Sequence, residues 1–582
     1  LEDGDTRDVV LRQSKRGLTA PAIDRPGYHR LETSHACTIL AIAPRRAFTV
    51  RDAAPGRLWG VGVQAYGITD DASPGFGDFG ALARFSAAAG QAGAGLVATS
   101  PFHALFAADP SRFSPYAPSS RLFLNGLMAD PRVVFPEAPP PAAAAGDELI
   151  DWAAEWPARL ARLRELHGHF RSDDPRRDDF ERFRREGGDD LESHALFEAL
   201  HGRFFAQCGA RGWPDWPAHY HDRRSRAVAA FAREAAEEVE FHVFLQWLAR
   251  RSLDAAQSAA RRVMPIGLVA DLAVGTDPGG SHAWSRPGDL LGRVNVGAPP
   301  DLLGPSGQDW GIAAFSPTAL RATGYAPFLA TLRAALASAG GVRIDHAMGL
   351  QRLWLVPRGA SPTDGAYLAY PFADLIRLLT LESHRARAIV IAEDLGTVPA
   401  GFRETLKARS MMGMQVLWFE RTDSGGFRAP GRWSRGAAAM TTTHDLPTVA
   451  GWWRERDIDW TWRIGRKSPH ATKQASRAER AVERRRLWRA CQRAGQAQGA
   501  EPPPDAPDAA VDAVIGFVAQ TPADLAIVAA EDLVGLPEQP NLPGTVDEHP
   551  NWRRRLPPTD VMWADPAVQR RVAILGQHRP SS

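Results

Sequence analysis

Cysteine is the scarcest residue in this sequence. The 582 residues contain three cysteines, Cys37, Cys208 and Cys491, which lie far apart and form no C-x-x-C pair. This spacing does not indicate the disulfide framework of a small secreted domain. We expect the three thiols to be reduced and structural, as they are in a cytoplasmic protein.

Long hydrophobic runs and an excess of either charge are also missing. No window holds the roughly 18 uninterrupted apolar residues of a transmembrane helix. The first ten residues, LEDGDTRDVV, lack the apolar centre of a signal peptide. The formal net charge is +2, which does not indicate a nucleic-acid or membrane-surface partner. These features predict a soluble cytoplasmic protein that binds neither nucleic acid nor membrane.

Eight short apolar runs of strand length recur along the chain, and most are followed by a helical pattern or an insertion. They are residues 58–66, 94–100, 265–272, 341–345, 388–394, 414–420, 437–445 and 524–532. Continuous runs of Val, Ile and Ala are typical of parallel strands covered on both faces. Eight of them separated by helices predict an α/β protein built on a (β/α)8 TIM barrel.

The main alternative is an open doubly wound sheet that binds a dinucleotide. That fold usually carries a glycine-rich phosphate loop of the G-x-G-x-x-G type. The stretch GVGVQAYG, residues 60–67, has glycines, but it has neither this spacing nor a position at the start of a helix. We therefore favour the barrel.

Two long insertions between the barrel strands are predicted to be helical. One covers about residues 130–262, where Phe241, Phe244 and Leu248 recur at helical spacing. The other covers about residues 453–512 and is rich in Arg and Glu, as expected of a helix with a solvated face.

Carboxylates stand at the C-terminal ends of the predicted strands, where a barrel keeps its chemistry. They are Asp271, Asp345, Glu393 and Asp445. Each could instead cap the helix after its strand, which is the commonest structural use of such a residue. Strand periodicity helps to separate the two interpretations, because side chains two residues apart share a face.

This periodicity gives the first two carboxylates opposite surroundings. Arg343 shares its face with Asp345, so a cation stabilises the ionised form of that carboxylate. Glu393 shares its face with Ile389 and Ile391, and this apolar surface should raise the pKa of Glu393.

Asp445 is expected to stay ionised for a different reason. It shares its face with Thr441 and Thr443, whose hydroxyls can donate hydrogen bonds. Carboxyl groups with pKa values driven apart are what glycosidic-bond cleavage requires. We therefore predict Asp345 as nucleophile, Glu393 as general acid and then base, and Asp445 as a sugar-binding carboxylate that stabilises the transition state.

A metal site is the competing use of such clustered carboxylates. His346 and His444 would then be further ligands. No dense ligand motif such as H-E-x-x-H is present, so we expect no metal and favour cleavage of a glycosidic bond.

Several long motifs resemble those of one family, the 4-α-glucanotransferases of the amylomaltase type in glycoside hydrolase family 77. The strand-end motifs GVRIDHAMGL, IAEDLGTVP and TTTHDLPTVAGWW carry the resemblance most clearly. RLWGVGVQAYGI, RFSPYAPSSRLFLN, PIGLVADLAVGTDPGGSHAW, GAPPDLLGPSGQDWG and AAEDLVGLPEQPNLPGTVDEHPNWRRRL are also similar. The resemblance covers residues 55–565 almost continuously.

The resemblance implies roles for individual residues. Asp345, Glu393 and Asp445 match the family's nucleophile, acid/base and third carboxylate. Five further positions match residues that contact the sugar or the nucleophile in the family, and we add the strand-end carboxylate Asp271 to them. The predicted substrate-binding residues are Tyr116, Asp271, Gln308, Trp310, Arg343 and His444.

The implied reaction cleaves an α-1,4-glucan with retention and passes the glucanosyl unit to the 4-hydroxyl of another glucan or of glucose. The implied partners are maltooligosaccharides, starch or glycogen, and no cofactor is needed. The sequence leaves the oligomeric state open. A hydrolase with the same catalytic residues is the alternative, and a non-catalytic glucan-binding barrel should lack at least one of the three carboxylates.

Transfer requires a bound acceptor sugar to react in place of water. Aromatic side chains that pack on sugar rings could provide this binding, and Tyr116, Trp310 and Trp452 are the candidates. Tyr116 lies in SPYAPSS, which is rich in turn formers, so we expect it on a loop at the barrel mouth.

Three departures from the family pattern bear on these expectations. His282 stands where an Asp is usual, so a hydrogen bond could persist but a constant negative charge could not. Residues 302–304, Leu-Leu-Gly, replace bulky aromatics, so we do not expect a long glucan to wrap over this loop. Residues 1–48 resemble only the end of the N-terminal β-rich region of longer bacterial members. Residues 49–582 then form the catalytic barrel.

Overall fold

The computed structural model describes residues 1–15, 17–141, 148–300, 306–466 and 470–580. At its centre eight parallel strands form a closed barrel in which each strand pairs with the next and β8 pairs with β1. The strands are β1 Leu58–Val63, β2 Leu96–Thr99, β3 Gly267–Leu272, β4 Gly341–Ile344, β5 Ile389–Ala392, β6 Met412–Val416, β7 Ala437–Met440 and β8 Leu525–Ala529. Each overlaps one predicted run in the same order, so the predicted barrel is confirmed.

Helices surround the barrel and fill the long connections. They are α1 Val50–Ala53, α2 Phe79–Gln91, α3 Trp152–His169, α4 Arg177–Cys208, α5 Arg226–Glu234, α6 Ala236–Arg261, α7 Ser281–Ser285, α8 Pro317–Ala322, α9 Ala326–Leu336, α10 Phe372–Ala386, α11 Phe402–Ala408, α12 Val449–Trp453, α13 Arg456–Arg463, α14 Lys473–Arg493, α15 Asp508–Ala519, α16 Ala530–Val534, α17 Thr559–Ala564 and α18 Pro566–His578. Within the described ranges, none of them combines the length and the apolar character needed to cross a membrane.

The strand side chains alternate between the barrel interior and the surrounding helices. In β5, Ile389 and Ile391 belong to the apolar cluster inside the barrel. Val390 and Ala392 belong to the cluster formed with the outer helices. This alternation follows from the two-residue repeat of a strand, and it makes the interior position of Arg343 on β4 unusual.

The helices α3 to α6 occupy the connection between β2 and β3. α4 and α6 pack along each other, and Phe241, Phe244 and Leu248 of α6 are buried as their helical spacing predicts. α4 bends at Gly188, whose φ of 52° lies in the left-handed region that glycine adopts at little cost.

The remaining strands lie outside the barrel. Two-stranded sheets pair Arg12–Ser14 with Gly17–Thr19, Gly27–Glu32 with Cys37–Ile42, and His103–Ala104 with Ser120–Leu124. An antiparallel sheet has the order Gln308–Ile312, Val294–Ala298, Arg352–Pro357 and Ala366–Ala369. This last sheet follows the ends of β3 and β4 and carries two of the predicted substrate-binding residues.

Arg579, directly after α18, joins segments at the closing pair of strands. It is 1% exposed, and its guanidinium donates to the carbonyl oxygens of Leu58 at 2.8 Å and of Ala519 and Ala523 at 2.9 Å. It also donates to the Thr521 carbonyl at 3.0 Å. Because Leu58 begins β1 and Ala523 precedes β8, the arginine links the two strands that close the barrel.

We predict that Arg579→Ala lowers the free energy of unfolding by at least about 3 kcal/mol, because several buried carbonyls lose a charged donor. Urea unfolding followed by circular dichroism measures this change. The matched control is Arg570→Ala, which removes an exposed pair with Asp512 and should cost about 1 kcal/mol or less. Equal losses in the two variants would contradict the assignment.

Candidate active site

Arg343 is the charged residue at the centre of the barrel mouth. In the register of the parallel pair it lies opposite Asp271 of β3. Its Nη1 donates to the two oxygens of Asp271 at 2.8 and 2.7 Å, and to Asp345 Oδ1 at 3.0 Å. Val342 and Ile344 pack outward. The strand period therefore predicted correctly that Arg343 and Asp345 share one face.

The Asp271 side chain is buried and Arg343 is mostly enclosed, so both need partners, because an unpaired buried charge is costly. Burial raises the pKa of Asp271, although Arg343 opposes this. Burial also works against the charge of Arg343, but the carboxylates of Asp271 and Asp345 outweigh it and raise the pKa of Arg343 well above its usual value. The guanidinium therefore stays charged between them.

Glu393 follows β5 directly and is 9% exposed. The Leu395 N–H donates to its Oε1 at 2.8 Å, and the His346 N–H donates to its Oε2 at 2.9 Å. Burial nevertheless raises the pKa of Glu393 to about 7. The apolar surroundings predicted from Ile389 and Ile391 are confirmed, since both side chains belong to the barrel interior.

Asp445 lies in the loop after β7, and its surroundings differ from the prediction. Thr441 and Thr443 were expected to hold its carboxylate, but β7 ends before both of them, so the two-residue alternation does not continue to Asp445. Instead, Asn541 Nδ2 donates to Asp445 Oδ1 at 2.6 Å. His444 Nε2 lies 3.4 Å from Asp445 Oδ2.

These two neighbours decide the charge of Asp445. Burial alone would raise its pKa, but His444 and Asn541 outweigh burial and lower the pKa of Asp445. Burial likewise disfavours the imidazolium, yet Asp445 raises the pKa of His444 above the usual value. The direction of this shift agrees with the ionised state predicted for Asp445, although the residues that lower the pKa are not the threonines.

Tyr116 lies on a loop at the barrel mouth, as its turn-rich surroundings predicted. Its hydroxyl donates to Asp271 Oδ2 at 2.6 Å and lies 3.3 Å from His444 Nδ1. Its ring stacks on that of His444, with centroids 4.8 Å apart and an interplanar angle of 28°. Burial raises the pKa of Tyr116 well above the usual value, so the phenol is neutral and connects Asp271 with His444.

Gln308 and Trp310 reach the site from the antiparallel sheet outside the barrel. Trp310 Nε1 donates to Gln308 Oε1 at 3.1 Å. The Trp310 ring meets the His346 ring edge to face, with centroids 5.2 Å apart. Because the His346 N–H also donates to Glu393, both side chains approach the mouth beside Glu393.

Two residues of the site have a left-handed backbone. The φ of His346 is 44° and that of Trp552 is 56°. For residues with a β-carbon this region costs on the order of 1–3 kcal/mol, and it is maintained by the surrounding structure. At His346 the conformation accompanies the N–H bond to Glu393. At Trp552 it accompanies the packing of the indole on Tyr116 and His444.

The sequence patterns did not single out Asn541, Trp552 or Glu531. Asn541 and Trp552 belong to a loop that follows Asp445 by about a hundred residues, and their only signal was a motif that resembled the family as a whole. Glu531 follows β8, and burial raises its pKa to about 7. Its place at the end of a barrel strand was the available signal.

The remaining expectations concerned Trp452, His282 and residues 302–304. Trp452 is buried and stacks on Trp418 with centroids 4.9 Å apart, so the proposal that it packs on a sugar is wrong. His282 is buried with Nε2 3.6 Å from Asp289 Oδ2. Burial lowers the pKa of His282, so its ring is neutral near pH 7. Residues 302–304 lie outside the described residues.

The possible metal ligands His346 and His444 have other neighbours. The two ring nitrogens of His444 face Tyr116 and Asp445, and the His346 ring packs on Trp310. Across the described ranges, no group of three or more His, Cys, Asp and Glu residues is arranged to hold a metal ion.

Sequence comparisons relate the chain to proteins of one kind. A family model described as 4-alpha-glucanotransferase matches residues 63–560. A 4-alpha-glucanotransferase of Mycobacterium tuberculosis is 35% identical, over 99% of this chain and 85% of the relative. One of Haemophilus influenzae is 31% identical, over 91% of this chain and 80% of the relative.

Structural comparison gives a similar result. An amylomaltase from Corynebacterium glutamicum matches with a TM-score of 0.84 at 29% identity, over 99% of this chain and 85% of that one. An amylomaltase from Streptococcus agalactiae, solved in complex with acarbose, matches with a TM-score of 0.74 over 90% of this chain and 99% of that one. The second match is 18% identical and shows the shared fold alone.

The raised pKa of Glu393 predicts a cost to stability that grows with pH. With a folded-state pKa of about 7 and a lower one in the unfolded chain, ionisation favours unfolding as pH rises through this window. Glu393→Gln cannot ionise there. The variant should therefore gain about 2–3 kcal/mol in the free energy of unfolding relative to the parent protein between pH 5 and pH 8.

Urea unfolding at the two pH values measures this difference. Glu404→Gln, which changes an exposed glutamate on α11, serves as the matched control and should show little pH-dependent gain. A Glu393→Gln variant whose stability follows that of the parent protein at both pH values would show that Glu393 is not a raised-pKa carboxyl.

Proposed function

The chain belongs to the 4-alpha-glucanotransferase family, glycoside hydrolase family 77, and we propose that it transfers segments of α-1,4-glucan between chains. The observation that carries the proposal is the pair at the ends of β4 and β5. Asp345 accepts a hydrogen bond from Arg343, and burial raises the pKa of Glu393 to about 7. One ionised and one neutral carboxyl group are what a retaining cleavage requires.

In the first half of the reaction we assign the attack on the anomeric carbon to Asp345. Arg343 holds Oδ1 and so orients the other oxygen, Oδ2, as the attacking atom. Glu393 donates its proton to the glycosidic oxygen as that bond breaks. The products are a glucosyl ester on Asp345, an ionised Glu393 and a leaving chain that now ends in a free 4-hydroxyl.

In the second half Glu393 acts as the base. It takes the proton of an acceptor's 4-hydroxyl, and that oxygen attacks the anomeric carbon and releases Asp345. Two inversions at one carbon give net retention. The N–H donors of Leu395 and His346 stabilise the ionised Glu393 formed between the two steps, while burial favours its return to the neutral form.

The residues around Asp445 are proposed to bind the sugar whose bond is broken. Asp445 is ionised and offers acceptors to sugar hydroxyls. His444 has a raised pKa and offers a donor beside it. Tyr116 stacks on His444 and presents an aromatic edge at the mouth. Asp271 holds both Tyr116 and Arg343, so we assign it to the positioning of these groups.

Trp310 and Gln308 are proposed to bind the acceptor sugar. Their position beside His346 and Glu393 is where the leaving chain departs and the acceptor must enter. A sugar oriented there reacts ahead of water, and such orientation can contribute on the order of 7–11 kcal/mol in good intramolecular cases. The hydrolase alternative is not favoured, because the matching family and the similar relatives are described as transferases.

The proposed substrates are maltooligosaccharides and the α-1,4-linked chains of starch or glycogen, with no metal or organic cofactor in the reaction. We propose residues 49–582 as the catalytic unit and residues 1–48 as a separate β-rich region. Cys37, Cys208 and Cys491 are free thiols, which supports a reducing compartment such as the cytoplasm.

Incubation with maltotriose tests the proposed function. A transferase converts it into glucose and longer oligosaccharides while the total number of reducing ends stays nearly constant. Chromatography gives the products and a reducing-end assay gives the total. Steadily rising reducing ends without longer products would establish the hydrolase instead.

Asp345→Asn tests the assignment of the nucleophile. Removing the attacking oxygen should lower turnover of maltotriose by roughly three orders of magnitude or more, while circular dichroism shows an unchanged fold. Asp423→Asn, which alters an exposed carboxylate outside the site, should retain full activity. A variant at position 345 with near-normal turnover would rule out this residue as the nucleophile.

A further inference from the structure

Arg121 is a buried cation that has no part in the mechanism above. It lies on the outer strand Ser120–Leu124, and only 5% of the residue is exposed. Its Nη1 donates to the carbonyl oxygens of Ala273 at 2.8 Å and of Val274 at 2.9 Å. Its guanidinium carbon lies over the Phe315 ring, 4.6 Å from the centroid. The hydrogen bonds therefore use one of the three guanidinium nitrogens.

The other two nitrogens of Arg121, Nε and Nη2, are buried and have no hydrogen-bond partner in the part of the chain that the structure describes. Burial lowers the pKa of Arg121 to about 10, and no carboxylate of the described ranges opposes this shift. The guanidinium is therefore charged at neutral pH without a counter-ion among those residues. Unpaired buried charges and unpaired buried donors are both costly in folded proteins.

A small cavity adjoins Arg121. Its volume is about 20 Å³, and its other polar lining residues are His103 and Asp271. The rest of its wall is apolar. A cavity of this size has room for one particle of about the size of a water molecule, and it is far smaller than the roughly 300 Å³ at which small-molecule sites begin.

His103 places a further donor at this cavity. Burial and the charge of Arg121 lower the pKa of His103 to about 3, so the ring is neutral. The Ala273 N–H donates to its Nε2 at 3.3 Å, and Nδ1 therefore carries the proton. Because Arg121 binds the carbonyl of the same residue, Ala273, the guanidinium and the imidazole lie close together beside the cavity.

His282 lies near Arg121 and supplies no negative charge. Its ring packs at Phe315 with centroids 5.7 Å apart, and the Arg121 guanidinium lies over the same Phe315 ring. Burial lowers the pKa of His282, and the charge of Arg121 adds to this effect. An Asp is usual at this position in the family that the sequence resembles, so this chain lacks a carboxylate that would balance Arg121.

We propose that Arg121 and His103 form a binding site for a small monoatomic anion, of which chloride is the common example. The charge of Arg121 favours an anion over water, because a water molecule would leave that charge unbalanced. The cavity volume excludes sulfate, phosphate and sugars. The carboxylate of Asp271 is already matched by Arg343 and Tyr116. A bound anion would fix the guanidinium that holds the backbone directly after β3, the strand that carries Asp271.

Thermal unfolding of the whole protein tests the site. The salt is changed from sodium methanesulfonate, whose anion is too large for the cavity, to sodium chloride at a constant ionic strength of about 0.1 M. A ligand that binds only the folded state raises its stability, so we expect chloride to raise Tm by about 1–3 °C. Equal Tm values in the two salts would overturn the inference.

Arg121→Met should abolish the chloride-dependent rise in Tm. Arg159→Met is the matched control, because Arg159 is also buried and donates to the carbonyls of Leu127 and Phe76. Its guanidinium also lies over a phenylalanine ring. The control should lower Tm in both salts and keep the chloride-dependent rise. A rise that persists in Arg121→Met, or disappears in Arg159→Met, would contradict the assignment.

His282→Asp makes the test independent of a folding defect. The new carboxylate beside Arg121 should take the place of the anion, so Tm in methanesulfonate should reach at least the parent value in chloride. Chloride should then add less than about 0.5 °C. His282→Asn, which stays uncharged, should keep the full chloride response. An unchanged chloride response in His282→Asp would refute the site.

Crystals of the parent protein grown in sodium bromide locate the anion directly. Bromide resembles chloride in size and scatters anomalously. An anomalous peak in contact with the Arg121 guanidinium and His103 Nδ1 supports the site. Water alone in the cavity, with bromide bound only on the surface, overturns it.

Discussion

The three hydrogen bonds from Arg343 Nη1 to Asp271 and Asp345 are the interaction on which the site depends. They allow a cation and two carboxylates to occupy the end of a barrel whose interior holds an apolar cluster that includes Ile389 and Ile391. From Asp271 the contacts continue to Tyr116 and from there to His444. Breaking a buried pair costs about 3–5 kcal/mol, so this arrangement orients the side chains as one unit.

Near these residues, two carboxyl groups have pKa values that are shifted in opposite directions. Burial raises the pKa of Glu393, and the two N–H donors that it accepts from do not reverse this. At Asp445, a basic imidazole and an amide donor outweigh burial and lower the pKa. The difference comes from the residues that contact each carboxyl group. The raised pKa of Glu393 lowers the free energy of unfolding at neutral pH, and buried contacts elsewhere in the barrel, such as those of Arg579, offset this loss.

Glucan chains extend over several sugar units, whereas the catalytic groups act on one bond. The loop from Glu538 to Arg554 contributes to the active site through Asn541, which donates a hydrogen bond to Asp445. His549 and Arg554 of the same loop line a neighbouring cavity. Binding at a distance from the reacting bond contributes to catalysis when it orients that bond.

The sequence by itself determined the barrel and most of the charged residues at its mouth. Buried parallel strands need continuous apolar runs, and the two-residue repeat places Arg343 with Asp345 and Glu393 above Ile391. The same repeat misassigned the partners of Asp445, because β7 ends before the threonines and a loop has no such period. Only the tertiary structure brought Asn541, Trp552 and His549 to the site or beside it. Their positions depend on how a distant loop folds back over the barrel, and no local periodicity encodes that contact.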